Sequence, residues 1–93
     1  MASNYRDWNG VLNQLAGLPP GTLDATGAAN HWAGLPPGTL ELIGALNYKN
    51  GTYANGQSRG LLKVCRELAG LALTVNGLDA LGALNHLAGN SPG

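Results

Sequence analysis

Apolar residues recur along the chain in short clusters, each framed by the same polar punctuation. Four copies carry an acid, a glycine three residues on, and an asparagine three residues after that. They are Asp7-Gly10-Asn13, Asp24-Gly27-Asn30, Glu41-Gly44-Asn47 and Asp79-Gly82-Asn85. A degenerate copy before the last places Arg66 where the asparagine would stand. Ala-Gly pairs (Ala16-Gly17, Ala33-Gly34, Ala69-Gly70, Ala88-Gly89) close four of the units, and Asn50-Gly51 closes the third. The Asn places lie 17, 17, 19 and 19 residues apart, the length of one short helix and one connection. Within a unit, Leu40, Ile43 and Leu46 with Ala45, or Leu78, Leu81, Leu84 and Leu87 with Ala83, spread over a broad helical face. The pattern predicts an all-α chain of about five tandem short helices joined by Gly/Pro turns, solenoid-like or extended, with one longer loop.

Local signals place the helix ends. Thr22 can cap the second helix, with Asp24 in its first turn where negative charge suits the helix dipole, and Thr39 with Glu41 repeats this arrangement. Gly34 suits a left-handed C-terminal residue, Leu35 can fold back on the last turn, and Pro36-Pro37 forbids continuation. The connector 17–22 matches 34–39 residue for residue, so the first three helices should be related by one repeated geometry. Helices of about 10–12 residues follow, a length marginal in isolation. Gly27, Gly44 and Gly82 fall mid-helix, where they cost stability unless close packing needs them, and read as points of close helix–helix or helix–partner approach.

The organisation expected is an N-terminal arm (1–6), repeats one to three (7–50), a loop insertion (51–60), repeats four and five (61–89) and a C-terminal tail (90–93). Asn55-Gly56 marks a turn within the insertion, an exposed loop or a small hairpin. The arm and tail read as flexible or docked on a partner.

Composition sharpens the picture. The chain has 93 residues, 15 of them glycine, no Phe, and much of its apolar content is alanine. Small side chains bury little area, at about 25 cal/mol per Å², so a self-sufficient core is doubtful and support from a neighbour is expected. Five acids balance five bases, which excludes a strong whole-chain field for nucleic acid or anionic lipid. Lys49, Arg59, Lys63 and Arg66 nevertheless share one stretch without an acid before Glu67. A solvated segment, an acidic partner and DNA phosphate all fit that stretch. No basic-plus-apolar leader and no run approaching a membrane span is present, so manufacture in a reducing cytoplasm is expected.

Chemistry is sparse. The single Cys65 sits where other copies have Leu12, Ala29, Leu46 and Leu84, which reads as a small buried hydrophobe. His31 and His86 occupy equivalent places with no further ligand beside them, so no metal site is expected. No catalytic residues, cofactor or small-molecule site are expected; Pro-Pro-Gly-Thr lacks the lysine of a phosphate loop. The recurring Asn13, Asn30, Asn47 and Asn85, with Gly10, Gly27, Gly44 and Gly82, read as scaffold, each amide satisfying backbone groups of an adjacent connector. Candidate partner-binding residues are Tyr5 and Trp8 in the arm, Tyr53 and Arg59 in the insertion, and Lys63 and Arg66 beyond it.

The blocks Leu-Asp-Ala-Thr-Gly-Ala-Ala-Asn-His-Trp-Ala-Gly (23–34), Leu-Glu-Leu-Ile-Gly-Ala-Leu-Asn-Tyr-Lys-Asn-Gly (40–51) and Leu-Asp-Ala-Leu-Gly-Ala-Leu-Asn-His-Leu-Ala-Gly (78–89) carry a resemblance. They resemble small Gly/Ala/Leu/Asn-repeat virion structural proteins of tailed bacteriophages that infect actinobacteria, over roughly residues 7–89. The resemblance implies a non-catalytic role in the virion after synthesis in the bacterial host cytoplasm. The leading expectation is a capsid accessory protein, decorating or stabilising the shell from grooves between major capsid subunits. A minor tail or tail-tip protein is the second. A cytoplasmic helical-repeat scaffold is the rival from another class, and DNA contact through the bases is the weakest. Partners would be the major capsid protein, another virion protein or copies of the chain itself, with no membrane.

Overall fold

The computed structural model describes residues 4–72 and 78–90. Each repeat forms one short helix: α1 (Trp8–Leu15), α2 (Ala25–Trp32), α3 (Leu42–Asn50), α4 (Leu61–Leu68) and α5 (Ala80–Ala88). No strand occurs among the described residues, so the insertion is a loop closed by a turn (Gln57 N–H to Ala54 O, 3.0 Å) and not a hairpin.

The helices have 8 or 9 residues, shorter than the sequence pattern predicts, because both ends are stopped by the repeat itself. Aspartate, not threonine, is the cap: Asp7, Asp24 and Asp79 accept the amide N–H of Gly10, Gly27 and Gly82 at 2.8, 2.7 and 2.7 Å. Thr22 and Thr39 instead donate backwards to Pro19 O and Pro36 O, tightening the Pro-Gly turns. At the other end the two bonds of a Schellman motif recur in every module. In α2, Leu35 N–H reaches Asn30 O (2.8 Å) and Gly34 N–H reaches His31 O (3.0 Å), with Gly34 at φ 86°.

Two of the mid-helix glycines, Gly27 and Gly82, answer to this cap. A Cβ on Gly27 would lie 3.0 Å from Asp24 Oδ1 and 3.4 Å from Leu23 Cβ; on Gly82 it would lie 3.1 Å from Asp79 Oδ1. At these two the close approach is to the capping carboxylate and the residue before it; at Gly44, whose helix has no side-chain cap, a Cβ would instead lie 3.4 Å from Leu40 Cβ and 3.5 Å from Tyr53 Cε1. In α4 the two roles trade places: Gly60 is the cap, without a side chain, and Lys63 takes the glycine's place.

Each module contributes two adjacent, fully buried side chains to one centre. They are Val11 and Leu12, Ala28 and Ala29, Ala45 and Leu46, Val64 and Cys65, and Ala83 and Leu84. Half-buried Trp8, Leu15, Leu23, Trp32, Leu40 and Leu81 pack around them. Each helix packs on the next, and α1 also packs on α5. The array therefore turns back on itself into a closed ring, not the open solenoid that its periodicity allows. The body is thin, 43 × 32 × 14 Å.

Candidate interaction surface

The asparagine row is the hinge of the architecture. Asn13 Nδ2 donates to Leu23 O (2.9 Å) while its Oδ1 accepts Leu23 N–H (3.1 Å), clasping the residue just before the cap of α2. Asn30 clasps Leu40 in the same way (2.8 and 3.0 Å), and Asn47 clasps Arg59 (2.9 and 2.7 Å). The second hydrogen of each Asn amide returns to its own helix, at Asn9 O, Thr26 O and Ile43 O. A buried carboxamide is thereby fully used, and one residue type can join two backbones in any module.

Asn85 clasps Arg6, a residue earlier in the chain and not one ahead of it. Its Nδ2 donates to Arg6 O at 2.9 Å, and Arg6 N–H reaches Oδ1 at 2.8 Å. Asn90, itself buried, reinforces the seam by donating to Asn85 Oδ1 (2.9 Å) and to Gln14 Oε1 (2.8 Å). Residues 4–6 and Asn90, read from sequence as parts of an arm and a tail, are thus joined to the ring. The rest of those terminal segments, 1–3 and 91–93, lies outside the described residues.

Arg66 is a correction. It is 2% exposed, and its guanidinium donates to Ala72 O (2.6 Å) and Leu78 O. It is the fourth module's substitute for asparagine, a longer donor reaching the connector, and not a partner-facing base. Arg59 is also committed: its Nε pairs with Glu67 at 3.1 Å, and its Nη1 donates to Gln57 O. Asn50 donates to the same carboxylate at 2.9 Å. The Asn50 amide first, and Arg59 second, hold the Glu67 carboxyl below its ordinary value of 4.5.

The remaining partner candidates divide. Trp8 is half-buried against the core, and Tyr5 is half-buried with its phenol pushed up by desolvation and by the Asp79 charge. Neither stands out as a free anchor. Tyr53 and Lys63 do remain exposed. Tyr53 packs edge-on to Tyr48, with ring centroids 5.9 Å apart, and covers Gly44 much as Pro37 covers Gly27. Beside Tyr48, Lys49 holds its Nζ 5.2 Å from the centre of the Trp32 ring while staying exposed. The sequence does not single out Tyr48 as a surface contact, and it marks Lys49 only as one of the bases of the stretch 49–66. The available signal was Lys49 itself, a cation where the other units have Leu15, Trp32, Leu68 and Leu87.

Other features offer little chemistry. Cys65 is buried, and burial alone pushes its thiol up to about 12. His31 and His86 are exposed, and no group of three or more His, Cys, Asp or Glu is placed to hold a metal among the described residues. An open depression of about 430 Å³ lies between the start of α2 and the next connector, lined by Leu23, Asp24 and Pro37 among others. Asp24 is already occupied there by its capping bond. No helix among the described residues is long and apolar enough to cross a membrane.

No family model, curated protein or solved structure matches the chain.

Proposed function

We propose that this chain is a non-catalytic structural protein of a phage particle, acting by docking on other virion proteins. One observation carries the reading: the polar groups that recur with the repeat are consumed in holding the ring. The clasping asparagines, capping aspartates and Arg66 all bind this chain's own backbone. What is left for other molecules is surface. The virion setting comes from the sequence resemblance of the repeat blocks.

Within the particle, the capsid accessory position remains the leading reading, in an altered form. A closed thin body suits a plate seated on the shell between major capsid subunits. It does not suit a strip whose repeat number sets the length of groove spanned. The tail or tail-tip position is the second reading, favoured by the seam at Asn85 and Arg6: a ring that satisfies its own ends can stand at a low-copy site without a long host surface.

Quantitative mass spectrometry of purified particles separates these readings. Hundreds of copies per particle match the capsid position, a few match the tail, and absence from particles refutes the virion role.

A further inference from the structure

The ring is made of two blocks. Helices α1, α2 and α3 follow one another through the connectors 17–22 and 34–39, each stiffened by two prolines and by a threonine bonded back to the first of them. Helices α4 and α5 form the second block, in which Arg66 reaches Leu78 O just before α5. The blocks meet at two joints, α3 against α4 and α5 against α1, and these are the slimmer contacts of the ring.

Both joints are held by groups of one block acting on groups of the other. At the first, Asn47 clasps Arg59, and Asn50 donates to Glu67. At the second, Asn85 clasps Arg6, and Asn90 donates to Gln14. The second joint already unites parts of the chain 79 residues apart, so the same bonds form equally well between two copies.

Only the insertion carries the chain across the first joint, and little holds it folded. Thr52 Oγ1 (2.6 Å) and Arg59 N–H (2.7 Å) donate to the same atom, Asn47 Oδ1, so the loop leaves and returns at one point. Between them residues 53–58 are exposed and include no proline. Tyr53 lies over Gly44 and belongs with the first block. Residues 54–58 then double back through one turn bond, Gln57 N–H to Ala54 O, with Gly56 at φ 77°. Pulled straight, these five residues span about 17 Å. That exceeds the 14 Å thickness of the body, so the strand can reach a second ring laid on the first.

We infer that two copies of this chain exchange their α4–α5 blocks through the insertion. Each ring is then completed by the partner copy, with Asn47 clasping the partner copy's Arg59 and Asn85 the partner copy's Arg6. The exchange is reciprocal, so the pair is closed and two-fold. Closure within one chain competes at an effective concentration of roughly millimolar order. The monomer therefore prevails in dilute solution and the exchanged pair where copies are crowded. A structural protein gains from this a link between copies that needs no separate interface.

Refolding the full chain from urea at micromolar and at millimolar concentration, followed by size exclusion with light scattering at one final dilution, tests it. Monomer is expected from the dilute sample and dimer from the concentrated one. Both joints must open before the blocks can return, so the dimer should persist after dilution. Its amide NMR spectrum should match the monomer's except around 53–58.

Two variants should move the balance in opposite directions. Gly56→Pro cannot hold φ 77°, which disfavours the folded-back loop and should raise the dimer fraction at least about tenfold. Replacing residues 53–58 with the Pro-Pro-Gly-Thr of 36–39 gives a shorter, stiffer connector and should leave monomer alone, with circular dichroism confirming the fold. Monomer alone after refolding at millimolar concentration overturns the inference. So does a dimer that falls apart at once on dilution, or one that the grafted connector leaves unchanged. None of these results bears on the copy count in particles, which tests the virion role separately.

Discussion

Asn85 holds both the N–H and the carbonyl of Arg6, a residue 79 positions earlier in the chain. This bond pair is the same clasp that Asn13 makes to Leu23 only 10 residues ahead. One local device therefore serves as both connector and closure, and a chain of small side chains gains a centre that all five modules share.

Asn30→Leu should be costly. It removes two hydrogen bonds between modules and leaves the Leu40 N–H and carbonyl without their partner, a loss of about 2–4 kcal/mol in urea unfolding. Asn85→Leu should cost a similar amount. If the seam were incidental, the Asn85 change would fall within the about 0.5 kcal/mol of an ordinary surface substitution.

Glycine at the third helical position should resist improvement. Gly→Ala inside a helix normally gains about 1 kcal/mol, but at Gly27 the new Cβ would meet Asp24 Oδ1 at 3.0 Å. Gly27→Ala alone should give no gain. In an Asp24→Gly background, which copies the arrangement at Gly60 and Lys63, the same change should stabilise. A double-mutant cycle on thermal unfolding reads the coupling.

The Glu67 carboxyl should titrate below 4.5 in the folded chain, held there by Asn50 and then Arg59. A depressed folded value means that the contact adds stability above the unfolded-state value and loses it as pH falls through the lower folded one. The tie between α4 and the insertion should thus be intact at neutral pH and loosen only in acid. Carboxyl chemical shifts followed by NMR should show this, and Asn50→Ala should move the midpoint upward.

Cys65 should be inert while the ring is folded. Its thiol is buried and raised to about 12, so thiolate is scarce at neutral pH. Iodoacetamide should leave the native protein unmodified over a time in which the urea-unfolded chain is labelled completely. Comparable labelling of both would mean that α4 opens readily.

Much of this was legible in the sequence because the repeat repeats its physics. Gly34 before Leu35 and Pro36 announces a Schellman end, and a recurring Asn near each helix end implies a backbone partner in the next connector. Three things were not legible. Asp24 and Thr22 are both good caps, and only the finished turn shows that Thr22 is occupied by Pro19 O. Arg66 stood among other bases and read as surface, since nothing local reveals that its stem is buried and its head reaches carbonyls. The closure itself depends on a contact between the chain's two ends, which periodicity leaves undetermined: the same repeat suits an open stack.

The seam can be examined directly through amide hydrogen exchange at Arg6, compared with Leu23 and Leu40 in the same NMR experiment. A closed ring gives Arg6 N–H protection of the same order as those two clasped amides, and Asn85→Leu abolishes it at Arg6 first. Exchange at Arg6 as fast as at an unstructured end, with Leu23 and Leu40 still protected, would show an open array and contradict the ring.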